Sequence, residues 1–96
     1  MKHMFRYNNA DEILQVMGSR IRAARIRRGD QQKTFAFRIG VSMPTLRDLE
    51  KGKPTVSLGA FMNALQAVGH LDDMATVMAG VDTEKKRVRK KNLSPT

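Results

Sequence analysis

Leu14, Met17, Ile21 and Ala24 recur at helical spacing between Ala10 and Arg28, opening a pattern that stays helical through most of the chain. Asp11 and Glu12 stand near the start of this segment and five arginines toward its end, the order that a helix dipole favours. Gly18 falls in the middle, where glycine costs about 1 kcal/mol relative to alanine, so a weak point or bend is expected there. Gly29 supplies the stop. The spacing predicts a short second helix over Gln32–Ile39, with Phe35, Ala36 and Ile39 facing inward. Gly40, Val41 and Ser42 then make a tight turn. Ser42 is a good N-cap, and Pro44 sits in the first turn of the third helix, where its missing N–H costs nothing. That helix runs to Lys51 and stops at Gly52, and residues 53–56 form a connecting loop. Ser57 caps a fourth helix whose inward stripe reads Leu58, Phe61, Leu65 and Val68, closed by Gly69. A fifth short helix covers Leu71–Ala79, with Leu71, Met74, Ala75 and Met78 on one face. No β pattern and no internal repeat appears. The fold class is all-α, with five helices.

The same reading divides the chain. Residues 1–9 show no periodicity and are expected to form a flexible leader; residues 10–80 form the folded domain. Residues 81–96 are charged and unpatterned, the composition of a disordered basic tail. With 96 residues, 41% of them hydrophobic, the chain can bury one core, though a domain this small is only marginally stable alone. Burial against a second copy would add to it.

Charge sharpens the picture. Lysine and arginine number 18 against 9 acids, a formal net charge of +9 that favours a polyanionic partner. Lys85, Lys86, Arg87, Arg89, Lys90 and Lys91 crowd into residues 83–96 against Glu84, so the folded part is only mildly basic. The tail is expected to raise DNA affinity without sequence preference, by releasing counterions from phosphates. There is no cysteine, hence no disulfide framework, which fits a reducing cytoplasm. No apolar run of membrane-spanning length and no signal-peptide core is present, and a cytoplasmic location is expected.

The informative segment is QKTFAFRIGVSMPTLRDLEKG, residues 32–52. Ala36 is small enough for a neighbouring helix to cross close by, and Gly40 stands where the sharp turn wants a positive φ. Leu46 and Leu49 then anchor the next helix to the core. These positions pin two helices so that the second is pushed outward, the helix-turn-helix geometry. Over about residues 13–79 the sequence resembles the λ-repressor/Cro/Xre helix-turn-helix family. The marks are GSRIRAARIRRG, then Gln32, Ala36, Gly40-Val41-Ser42, Thr45, Leu49-Glu50 and Gly52. Gln31 departs from the pattern, since the family usually has a Ser or Thr cap there, and the start of the second helix is expected to fray. The run LRDLEKGKPTVSLGAFMNALQAVG and the KKRVRKK tail are similar to the HipB-like antitoxins encoded beside HipA-type kinases. The resemblance implies a λ-repressor-like DNA-binding domain that works as a homodimer on a palindromic operator, with a HipA-like kinase toxin as a partner.

Residues at the exposed N-terminal end of a recognition helix reach base edges in the major groove. Here these are Met43, Pro44, Thr45, Arg47 and Asp48. Arg47 suits a bidentate contact to guanine O6/N7, or alternatively a phosphate; Met43 suits a thymine methyl and Asp48 a cytosine amino group. Thr45 is equally suited to bonding back to the turn. Gln32, by the resemblance, binds a phosphate through its amide. Lys33, Ser42, Lys51, Lys53 and Ser57 are further phosphate candidates. Glu50 is expected to pair with a basic residue such as a first-helix arginine, and the five arginines of residues 20–28 read as a solvated face. Met17, Met62 and Met74 fit core positions, whereas Met78 is a candidate for a dimer interface.

Other classes fit poorly. The chain has no Gly-rich phosphate loop, no nucleophile–His–acid set and no paired carboxylates in an obvious pocket, so no enzyme and no cofactor is expected. His3 and His70 lack companions at ligand spacing, so no metal site is expected. Residues 17–28 are amphipathic and basic, as on a membrane surface, but their apolar stripe is needed to cover the helix-turn-helix. Two rivals remain: a phage- or mobile-element-type repressor without a toxin partner, and an Xre-like protein-interaction module that has lost DNA. Arg47, Lys51 and Lys53 on one edge favour DNA.

Overall fold

The computed structural model describes residues 9–81, and these are helical with no strand among them. Four α-helices follow in order: α1 Ala10–Arg27, α2 Gln32–Ile39, α3 Met43–Lys51 and α4 Leu58–Ala67, then a 3₁₀ helix, Leu71–Thr76. The all-α, five-helix reading therefore holds. Residues 82–96 of the expected tail and residues 1–8 of the expected leader lie outside the described residues. Asn9, assigned to that leader by its lack of pattern, belongs to the fold: its side chain accepts the Glu12 N–H at 3.0 Å and caps α1.

One core joins all four helices. Ile21 from α1, Phe35, Ala36 and Ile39 from α2, Leu46 and Leu49 from α3, and Ala64 with Val68 from the α4 end are buried together. The inward stripes expected of α2 and α3 are the observed ones. On α4 the stripe is Phe61, Ala64, Leu65 and Val68, and Leu58 is 63% exposed, which corrects its assignment to the core. Helical side chains lean toward the N-terminus, so Leu58, first residue of its helix, overshoots the core into solvent. Asn63 Nδ2 donates to the Ile39 carbonyl at 3.4 Å and ties α4 to the end of α2.

The fifth element also departs from expectation. It is six residues of 3₁₀ helix, and the chain beyond Thr76 turns, with Met78 at φ 61. Thr76 donates its hydroxyl to the Asp73 carbonyl at 2.8 Å, a local bond that competes with helical continuation. Leu71 and Met74 remain half-buried at the eclipsing spacing of a 3₁₀ helix, whereas Ala75 and Met78 are exposed.

Gly18 does not bend α1. The helix is continuous, and Gly18 is the point at which it touches the end of α3. A Cβ built on Gly18 would lie 2.4 Å from the Leu49 carbonyl oxygen, and one on Gly52 would lie 2.4 Å from that of Leu14. Two glycines thus let two backbones approach closer than any side chain permits, and Gly52 adds φ 76, the left-handed geometry that ends α3. Gly18→Ala gains about 1 kcal/mol of helix propensity but must push two backbones apart, and overpacking of that kind costs about 1–3 kcal/mol or more. The expected result in urea denaturation is a net loss of stability for Gly18→Ala. Gly59→Ala, in open space on α4, should gain up to about 1 kcal/mol. A Gly18→Ala chain as stable as the parent would show that α1 and α3 are not held at this distance.

Candidate nucleic-acid interface

The turn between α2 and α3 is closed by Gly40 at φ 77, where the Val41 N–H reaches back to the Ala36 carbonyl at 3.0 Å. Ser42 then caps α3: its Oγ accepts the Thr45 N–H at 3.2 Å and donates to Thr45 Oγ1 at 3.0 Å. Both hydroxyls are thereby engaged, which realises the local bonding open to Thr45. Ser57 repeats the device on α4, accepting the Ala60 N–H at 3.0 Å. Gln31 makes no side-chain cap, so the first N–H groups of α2 lack the partner that Asn9, Ser42 and Ser57 give the other helices. The helix nevertheless begins where expected.

On α3 the two faces are sharply separated. Leu46, Leu49 and Glu50 are buried, while Pro44, Arg47 and Lys51 are exposed and Asp48 is half-exposed between them. Those four outward positions share one helical stripe. Met43 packs partly on the core, so only part of its side chain remains for a base. Arg47 has no ion-pair partner among the described residues, whereas Asp48 Oδ1 lies 3.9 Å from Lys53 Nζ. That exposed pair is weakly held.

Behind this surface lies a buried charged cluster. Arg25 Nε and Nη2 donate to Glu50 Oε2 and Oε1 at 2.6 and 3.1 Å, and Arg25 Nη1 donates to the Asp30 carbonyl at 2.8 Å. Gln32 Nε2 donates to Glu50 Oε1 at 3.1 Å. The expected pairing of Glu50 with a first-helix arginine is thus present. Arg25 itself is only 7% exposed, so the arginines of residues 20–28 are not one solvated face. Its place was hidden because its buried partner lies 25 residues away. Asp30 also holds Arg38, with Nη1 and Oδ2 at 2.6 Å.

The cluster sets where the phosphate candidates stand. The Gln32–Glu50 bond places the start of α2 beside the last turn of α3, the helix end that carries Lys51. Ser42 lies at the other end of α3, and Ser57 beyond the connecting loop. Uncapped N–H groups at a helix start beside lysines make a surface suited to phosphate oxygens. The profile of the helix-turn-helix family matches residues 21–69, from the middle of α1 through α4. No match was found among curated proteins or solved structures.

Removing one member of a buried ion pair strands the other, at about 3–5 kcal/mol. Glu50→Ala is expected to lose stability in that range by denaturation. The double variant Arg25→Met/Glu50→Leu, which replaces the pair with apolar volume, should be clearly more stable than Glu50→Ala. Equal losses in the two would mean that the charges are not the source of the effect.

Proposed function

We propose, from the premise that the chain belongs to the λ-repressor/Xre-type helix-turn-helix family of DNA-binding transcription regulators, that it is a sequence-specific repressor binding operator DNA as a homodimer. That family is one of DNA-binding regulatory domains, which are not typically enzymatic. The observation that carries the reading is the two-faced α3. Its inner face is fixed by Leu46, Leu49 and Glu50, and its outer stripe of Pro44, Arg47, Asp48 and Lys51 is turned away from the core, with Arg47 in no ion pair among the described residues. In the major groove, Arg47 reads guanine and the edges of Pro44, Thr45 and Met43 supply apolar contact. Asp48 accepts from a cytosine amino group once its loose pair with Lys53 opens. Gln32, Lys33, Lys51 and Lys53 hold phosphates from the α2–α3 edge, and Ser42 and Ser57 are further phosphate contacts at the starts of α3 and α4.

The narrower reading is an autorepressor of the HipB-like kind, whose second partner is a HipA-type kinase toxin. Its support is the similarity of residues 46–69 and of the basic tail to such antitoxins. No helix among the described residues is long and apolar enough to cross a membrane.

Two measurements test the proposal. Arg47→Ala should leave stability nearly unchanged, cost about 1–3 kcal/mol on the operator and relax specificity at one base pair per half-site. Lys53→Ala should weaken operator and random DNA alike. If Arg47→Ala lowers affinity equally for every sequence, Arg47 is a phosphate ligand and not a reader.

The homodimer is tested separately, because one domain of this size gathers few base contacts. Sedimentation equilibrium at micromolar concentration should give twice the 10.8 kDa chain mass. Met78, 71% exposed beside exposed Val77 and Val81, offers an apolar patch for the contact, and Met78→Glu should shift the equilibrium to monomer. A chain that stays monomeric both free and on DNA would rule the dimer out.

A further inference from the structure

Away from α3, a groove of about 460 Å³ runs between α1, α4 and the 3₁₀ helix. Its floor is apolar, with Met17 and Ala24 from α1, Phe61 and Leu65 from α4, and Met74 from the 3₁₀ helix. Arg20 and Arg27 line it from α1, both exposed, and neither makes an ion pair or side-chain hydrogen bond among the described residues. Arg27 has a reason to be there, since a cation in the last turn of α1 answers the helix dipole. Arg20, in the middle of the helix, has none. None of the lining residues comes from α2 or α3, so the DNA reading leaves this surface unused.

We propose that the groove docks an acidic amphipathic helix of another protein. Arg20 and Arg27 are seven residues apart, two turns of one helix, which separates them by about 10 Å along the α1 axis. A partner helix laid in the groove buries its apolar face on the floor, with the two methionines adapting to its side chains. Carboxylates two turns apart on its flank then meet both guanidiniums. A small monocarboxylate would use one arginine and leave the other idle.

Charge decides against the other occupants. Residues 1–8 carry Lys2 and Arg6 and no acid, and residues 82–96 carry six basic residues against Asp82 and Glu84, so neither end of the chain complements the arginines. A second copy laid groove to groove would oppose guanidiniums to guanidiniums. The groove's own carboxylate, Asp73, is already bonded to His70 at 3.2 Å.

The test uses the full chain and a fluorescein-labelled helical peptide of about four turns. The peptide carries leucines on one face and glutamates two turns apart on the flank, and fluorescence polarisation reads its binding. Saturable binding that weakens with added salt is expected. Arg20→Glu/Arg27→Glu should lower affinity about tenfold and transfer the preference to a peptide with lysine in place of glutamate. Arg20→Lys/Arg27→Lys should keep most of the binding, and equal thermal midpoints for all three chains would show that folding is untouched. No saturable binding, or equal binding of glutamate and lysine peptides, overturns the proposal. So does a charge-reversed chain whose sedimentation mass changes, since the groove would then belong to a second copy.

Discussion

The arrangement of the helices depends on one buried guanidinium. Burying an ion pair costs several kcal/mol per charge in desolvation, recovered only when geometry and further hydrogen bonds satisfy both groups. Arg25 and Glu50 meet that condition. The guanidinium spends three nitrogens on Glu50 and on the Asp30 carbonyl, and the carboxylate takes a further bond from Gln32. Each of these contacts belongs to a different part of the fold: α1, the α1–α2 loop, the start of α2 and the end of α3. A misplaced α3 would leave a charge buried without its partner, so the pair penalises wrong orientations more than it adds to stability. The glycine contact works beside it, setting the distance between α1 and α3 while the ion pair sets their relative position.

That constraint explains why so short a helix can present a reading surface. Nine residues form α3, and three of them are buried. Leu46 and Leu49 fix one face by apolar burial, and Glu50 locks the last turn by charge. Ser42 fixes the first turn through its cap. With both ends held, the outward stripe keeps its geometry with only the loose Asp48–Lys53 pair as a contact of its own. The same cluster draws Gln32 to the end of α3, so the groups suited to phosphates and those suited to bases belong to one rigid piece. Glu50 thus joins the residues proposed to position DNA to those proposed to read it.

The far side of the molecule follows different physics. Leu71 and Met74 are half-buried at the spacing that a 3₁₀ helix makes eclipse, enough to cover the end of α4 but not to extend the core. The wall they form stops short of closing over α1, which leaves an apolar floor beside two unneutralised arginines. The proposed dimer patch and the proposed docking groove share Val77 on this side, and the surface proposed for DNA lies on the other.

Much of this was legible in the residues themselves. Helical spacing set α1 through α4, Ser42, Ser57, Gly40 and Gly52 marked their ends, and Leu46 with Leu49 marked the inner face of α3, because caps, left-handed glycines and apolar periodicity are local properties. A stripe's reach is less local: Leu58 keeps the period but lies past the edge of the core, and Met78 keeps it past the end of the helix. The meaning of Gly18 and the burial of Arg25 were decided by tertiary structure alone. Gly18 reads as a weak point within α1 until the backbone of α3 lies against it, and Arg25 reads as one surface arginine among five until Glu50 arrives from another helix. Sequence determines what a residue can do within its own helix; what that helix must accommodate depends on the surface that packs against it.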